Sequence, residues 1–244
     1  MFEWVNDPQF WVGLLQIIWI DIILSGDNAV VIALACRKLP PQQQRIAILA
    51  GTAGAIGLRV SMAAVVTLLL EVSFLKLIGS VLLFWIAIKL LAPQDEGDGD
   101  GANVNGLWPA IRTIIIADFV MSLDNVIGIA AAAKGSVLLL ALGLLISIPL
   151  IVFSSTLILK LMGRYPWIIV LGGALLGYIA GEMAVTDRAV SDWVATNAPL
   201  LGTAVPIAGI AIVVLVGKLL ARRAVRPAAP IDLATDSKHP PAGH

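Results

Sequence analysis

Cysteine and histidine are nearly missing from this sequence. The single cysteine, Cys36, rules out an intrachain disulfide and any cysteine-rich metal site. The two histidines, His239 and His244, sit in a Pro-rich polar tail where neither can act as a core ligand or general base. Charge is scarce as well: Lys, Arg, Asp and Glu make up 13% of the chain and cancel to zero net. With no basic patch and no interleaving of basic with aromatic residues, nucleic acid is not an expected partner. There is no P-loop, so ATP is not the expected energy source. Met1 to Phe10 carries Glu3 and Asp7 but no Lys or Arg. It therefore lacks the positive start of a cleaved signal peptide, and the first apolar run is expected to remain as a spanning helix.

What the chain has instead is apolar surface. Of its 244 residues, 59% are hydrophobic, and the mean hydropathy is +0.95, more than a soluble core can absorb. Crossing roughly 30 Å of hydrocarbon takes about 20 residues in a helix. Runs near 11–35, 46–70, 74–91, 109–133, 136–159, 167–184 and 203–220 meet that need. Arg37-Lys38-Leu39-Pro40-Pro41 closes the first, Glu71 and Lys76 flank the turn after the second, and Gly163-Arg164-Tyr165-Pro166 separates the fifth from the sixth. The expected fold class is an all-α membrane protein of about seven transmembrane helices. Residues 1–92 form a first three-helix repeat, 93–107 an acidic Gly-rich linker, and 108–185 a second, inverted three-helix repeat. Residues 186–226 supply a loop and a seventh helix, and 227–244 a disordered cytoplasmic tail. Six spans with a re-entrant segment within 186–203 is the competing count.

Positive residues fix an expected orientation, because Lys and Arg are retained on the cytoplasmic side of short loops. With the N-terminus outside, the cytoplasmic segments collect Arg37, Lys38, Arg45, Lys89, Arg112, Lys160, Arg164, Lys218, Arg222, Arg223, Arg226 and Lys238. The other side holds only Lys76, Lys134 and Arg188. The chain is thus expected in the bacterial inner membrane, N-terminus outside and C-terminus cytoplasmic.

The strongest pattern is internal. Asp21-Ile22-Ile23-Leu24-Ser25-Gly26-Asp27-Asn28 recurs 97 positions later as Asp118-Phe119-Val120-Met121-Ser122-Leu123-Asp124-Asn125, with every polar residue kept. A looser match pairs Lys76–Trp85 with Ile169–Tyr178. Three spans per unit is an odd number, so the second unit sits upside down, as in secondary transporters whose substrates bind where inverted repeats meet. Asp21, Ser25 and Asn28 fall on one helical face, as do Asp118, Ser122 and Asn125. On a regular helix Asp27 and Asp124 point roughly 120° away, unless the helix unwinds, which Gly26 favours in the first unit and Leu123 does not in the second. Both motifs lie about halfway through their spans, where a carboxylate is tolerated only when paired, protonated, hydrated or ion-bound. Arg59 is the other charge inside a span; it either neutralises an aspartate in the empty state or snorkels. Oxygen donors without thiolate or imidazole suit a hard divalent ion, without separating Mn²⁺, Mg²⁺ and Ca²⁺. Gly51, Gly54 and Gly57 read as a close-packing stripe, and Met62, Met121 and Met183 as packing residues.

At the two motifs the chain resembles the TerC family of integral membrane proteins, and most of all its short, bacterial, YjbE-type members described as metal transporters. The resemblance covers about 11–220. It implies seven spans, relatedness to the LysE-type exporters and, for some members, manganese efflux. It also implies an ion site of Asp21, Asp27, Asn28, Asp118, Asp124 and Asn125, supported by Ser25 and Ser122, beside which Arg59 is the candidate counter-charge. The expected function is secondary export of a divalent metal cation, Mn²⁺ first, by alternating access, with protons as a candidate coupling ion. No tightly bound cofactor is expected, only the transported cation, and the lipid bilayer is the other partner; a homo-oligomer is left open. Two readings compete: a membrane structural or assembly protein whose buried aspartates serve helix packing, and a calcium or magnesium exchanger working against protons. No nucleophile arrangement points to an enzyme.

Overall fold

In the computed structural model, residues 8–65, 72–92, 106–133 and 136–224 are described. The expected tail, and the linker apart from Gly106 and Leu107, lie outside them. Among the described residues every regular element is a helix: α1 Pro8–Leu24, α2 Gly26–Cys36, α3 Pro41–Ala64, α4 Leu75–Leu91, α5 Leu107–Ala133, α6 Val137–Arg164, α7 Trp167–Val185, α8 Ser191–Asn197 and α9 Leu201–Ala224. Four of them hold stretches long and apolar enough to cross a bilayer alone, namely Pro41–Ala63, Val137–Arg164, Trp167–Val185 and Leu201–Ala221. The pair α1 and α2, bent by 52° at their junction, makes a fifth. α8 has seven residues and rises only about 10 Å, too little to cross.

Local chemistry explains the boundaries. α1 stops at Leu24 because Ser25 leaves helical geometry (φ −102°, ψ 3°), and the following Gly26 offers no side chain to resist the bend. α3 starts on the Pro40-Pro41 pair, where proline's missing N–H is one the first turn does not use. At the start of α6, the Ser136 hydroxyl accepts the backbone N–H of Leu139 at 3.2 Å. Outward faces are apolar, with Leu15, Leu145 and Leu215 exposed as lipid-facing side chains should be, and Trp11, Trp19, Trp85, Trp108, Trp167 and Trp193 exposed as well.

Two hydrophobic clusters correspond at six positions. One contains Ile32, Cys36, Ala47, Ile48, Ile111 and Ile114; the other contains Ile129, Ala133, Leu139, Leu140, Leu14 and Ile17. The offset is 97 for residues of α1, α2 and α5 and 92 for residues of α3 and α6. The closest contacts follow suit. A side chain placed at Gly51 would strike Ile114 at 2.8 Å, and one placed at Gly143 would strike Ile17. α3 therefore packs closely on α5, and α6 closely on α1, in matching ways. Gly54 belongs to the same seam, since a Cβ there would meet Ile115 at 2.7 Å, whereas Gly57 faces open space and is not part of it. Met62, Met121 and Met183 lie in the central cluster that joins α2 to α7 and reaches α9 through Val213.

The ends of α4 are tied to different neighbours. At its C-terminal end, Arg37 Nη2 donates to Leu90 O at 2.8 Å. At its N-terminal end, Asp187 accepts the N–H groups of Phe74 (3.0 Å) and Leu77 (3.1 Å) while also accepting that of Ala189 (2.8 Å). Phe74 adopts a left-handed φ of 69°, a conformation disfavoured for a bulky residue, and the Asp187 carboxylate holds it there. Asp187, just beyond the end of α7, is buried at 1% exposure.

Candidate functional site

Both copies of the acidic motif meet in the interior. Asp21 on α1 is fully buried and Asp118 on α5 nearly so, and Arg59, buried on α3, reaches both. Its Nη1 donates to Asp21 Oδ1 and its Nη2 to Asp118 Oδ1 at 2.6 Å. Its Nε donates to Ser122 Oγ at 3.1 Å, and Nη1 also lies 3.4 Å from Ser25 Oγ. Each motif serine in turn donates to its own aspartate one turn earlier: Ser25 to Asp21 Oδ1 at 3.1 Å and Ser122 to Asp118 Oδ2 at 3.2 Å. The i, i+4 spacing read from sequence is what lets hydroxyl and carboxylate meet. Arg59 does not snorkel; it bridges two carboxylates from the two halves of the chain.

Ser147 completes this cluster and was not singled out by sequence. From α6 it gives its hydroxyl to Asp21 Oδ2. The available signal was its isolation as a polar residue midway along a helix otherwise rich in Leu and Ile.

The remaining motif residues behave differently in the two halves. Asp27 stands in the first turn of α2, half-buried, with Oδ1 accepting the N–H of Asn28 at 2.8 Å. A carboxylate there also complements the positive end of the helix dipole. Asn125 on unbroken α5 reaches across to α1 and donates to Leu24 O at 3.3 Å, meeting a carbonyl that the break at Ser25 leaves without its helical partner. Asn28 is buried, yet neither its Oδ1 nor its Nδ2 has a hydrogen-bond partner among the described residues. A buried amide left this way costs free energy unless something outside the chain satisfies it. The side chain of Asp124 lies outside the described residues. Among those that are described, no three His, Cys, Asp or Glu side chains are grouped closely enough to hold a metal; Arg59 occupies the space between the two best-placed carboxylates.

A separate cavity of about 60 Å³ opens at the ends of α2 and α4 and the start of α5. Among the described residues Arg37, Lys38 and Lys89 line it and no carboxylate does, a balance of charge that does not suit a cation.

The chain is similar to known membrane proteins. The chain is 39% identical over 209 residues to a Bacillus subtilis protein named "Uncharacterized membrane protein YjbE", covering 86% of this chain and 95% of that one. It is 26% identical over 183 residues to the Escherichia coli "UPF0053 inner membrane protein YgdQ", covering 68% and 77%. With the "UPF0053 inner membrane protein YoaE" of the same species it shares 27% identity over 188 residues, which is 69% of this chain and 36% of that longer protein. No solved structure matches. Residues 6–225 match the family described as "Integral membrane protein TerC family", a span that takes in every described helix, so the chain is a multi-pass membrane protein belonging to the TerC family.

Proposed function

We propose that this protein is a secondary transporter that exports a divalent metal cation, Mn²⁺ first among candidates, from a site built by Asp21, Asp27, Asn28, Asp118, Asp124 and Asn125. The observation that carries the reading is that Asp21 and Asp118, 97 residues apart, are brought to a single buried point by different helices. Bare carboxylates at such depth are expensive and mark ion pathways in membrane proteins. The unpartnered amide of Asn28 and the half-buried Asp27 supply further oxygen ligands of the kind hard divalent ions take.

In this reading α4 and α5 are the remaining spans. Their 17 and 27 residues rise about 25 and 40 Å against roughly 30 Å of hydrocarbon. Seven spans put the N-terminus outside and the C-terminus in the cytoplasm of a bacterial inner membrane. The matching clusters of Ile114 over Gly51 and Ile17 over Gly143 support two inverted repeats followed by α9. Alternating access would then exchange the packing of one repeat for that of the other, with protons returning on the carboxylates as the ion leaves.

A second reading is favoured by the Arg59 bridge itself: the aspartates join α1, α3 and α5 and no ion moves. Asp27→Asn and Asp124→Asn separate the two, since each removes a charge at nearly constant volume. In proteoliposomes loaded with Mn²⁺, with Mg²⁺, Ca²⁺ and Zn²⁺ as competitors, each variant is expected to lose most of the flux while folding like the parent. Parent liposomes that move no divalent ion above background, under any gradient, would sink the transport reading and leave the structural one.

A further inference from the structure

Arg59 has no counterpart in the other half of the molecule. On the 92-residue offset that pairs Gly51 with Gly143, its position corresponds to Ile151, a buried apolar residue. Among the described residues the core therefore holds Asp21 and Asp118, with half-buried Asp27 nearby, and one arginine. The guanidinium is spent on the two aspartates that come from opposite halves, one on each Nη. Its planar fork suits this task, because it can face two carboxylates at once while its Nε holds a third group, here Ser122.

We propose that Arg59 stands in for the transported cation: the guanidinium and the divalent ion occupy the Asp21/Asp118 pair in turn. This rests on the transport reading above. A guanidinium held by Asp21 Oδ1 and Asp118 Oδ1 and a divalent ion on the same pair would be two positive charges side by side in a buried site, and their repulsion there means that loading displaces Arg59 from at least one of them. The arrangement solves a problem every carrier of this kind has. After the ion leaves, the empty protein must return with its carboxylates still buried, and unpaired carboxylates resist that step. An arginine tethered to the scaffold neutralises them during the return but cannot leave with the cargo. It also competes with the ion, which keeps binding weak enough for release.

The experiment compares net Mn²⁺ efflux with Mn²⁺/Mn²⁺ exchange in proteoliposomes, for the parent, Arg59→Gln and Arg59→Lys, alongside Mn²⁺ affinity in detergent. Net efflux needs the empty protein to return, whereas exchange does not. In Arg59→Gln, affinity is expected to tighten and net efflux to fall, each at least about tenfold, while exchange falls by a smaller factor, so that the ratio of exchange to net efflux rises. Arg59→Lys keeps the charge but puts one ammonium where a fork faced two carboxylates, so the ratio of exchange to net efflux should rise by a smaller factor. If Arg59→Gln does not fold, the lysine variant decides alone: a ratio equal to the parent's overturns the proposal. Equal loss of exchange and net efflux, or unchanged affinity, overturns it in the glutamine variant. A parent that neither binds nor moves Mn²⁺ fails earlier and removes the transport reading instead.

Discussion

Asp187 shows how much one carboxylate outside the membrane core can hold. It ties the end of α7 to the start of α4 through backbone N–H groups that no helix supplies with partners. Burial alone would raise its carboxyl, but the N–H groups of Ala189, Leu77, Phe74 and Lys76 outweigh that and hold it below the ordinary value of 3.8. A carboxyl depressed on folding stabilises the folded state above its unfolded pKa, and the contribution fades as pH falls through the folded value. Asp187→Asn should therefore lower stability by about 2 kcal/mol at neutral pH, the usual worth of hydrogen bonds to a charged group. The gap between parent and variant should close as pH drops below 3.8. Thermal unfolding in detergent from pH 7 to pH 3 measures it; a gap that stays constant would mean the charge contributes nothing. The acidic motifs themselves were legible in the sequence, since polar residues inside apolar runs stand out. Asp187 and Ser147 were less so, because each is defined by a partner more than 100 positions away. Arg59 was legible as a buried charge, but its grip on two carboxylates at once follows from side-chain reach, which spacing does not encode.

At the level of helices, glycine marks where backbones touch. A Cβ at Gly177 would lie 2.4 Å from Gly209 O, and one at Gly209 would lie 2.1 Å from Gly177 O, so α7 and α9 meet main chain to main chain. Carbonyl oxygens cannot swing aside as an isoleucine tip can. Gly177→Ala is expected to cost about 1–3 kcal/mol by overpacking, whereas Gly57→Ala, with open space before it, should be neutral or stabilising by up to about 1 kcal/mol through helix propensity. Melting temperatures of the two variants side by side provide the check, and equal losses would contradict the packing described here. Sequence anticipated the stripe at Gly51 and Gly54 but extended it one step too far, because spacing alone does not show where two helices diverge. It also anticipated the different fates of the two motifs: Gly26 permits the bend after α1, and Leu123 sits in continuous α5. The likeness of α3 to α6 is hidden in the sequence because Cys36 and Ala47 are separated by five more residues than their counterparts Ala133 and Leu139, which shifts the offset from 97 to 92.

For the whole molecule, the arrangement of ends gives a test of orientation. The termini of α2 and α4 and the start of α5 share one cavity rich in Arg37, Lys38 and Lys89, while Asp187 gathers the start of α4 and the end of α7 away from it. A C-terminal reporter should read cytoplasmic and an N-terminal one external; both on the same side would remove the three-plus-three inverted reading. The glycine contact between α7 and α9 also bears on how the protein is made. Of the described helices α9 leaves the ribosome last, about 40 residues after α7 is finished, which at ordinary synthesis rates is a delay of about 2–8 s. During that time Gly177 and Gly181 face lipid rather than Gly209 and Pro206. A face of glycine has no polar side chain that lipid would have to cover. Assembly then ends with one docking step along a seam too narrow to accept any helix that presents a side chain in place of Gly209.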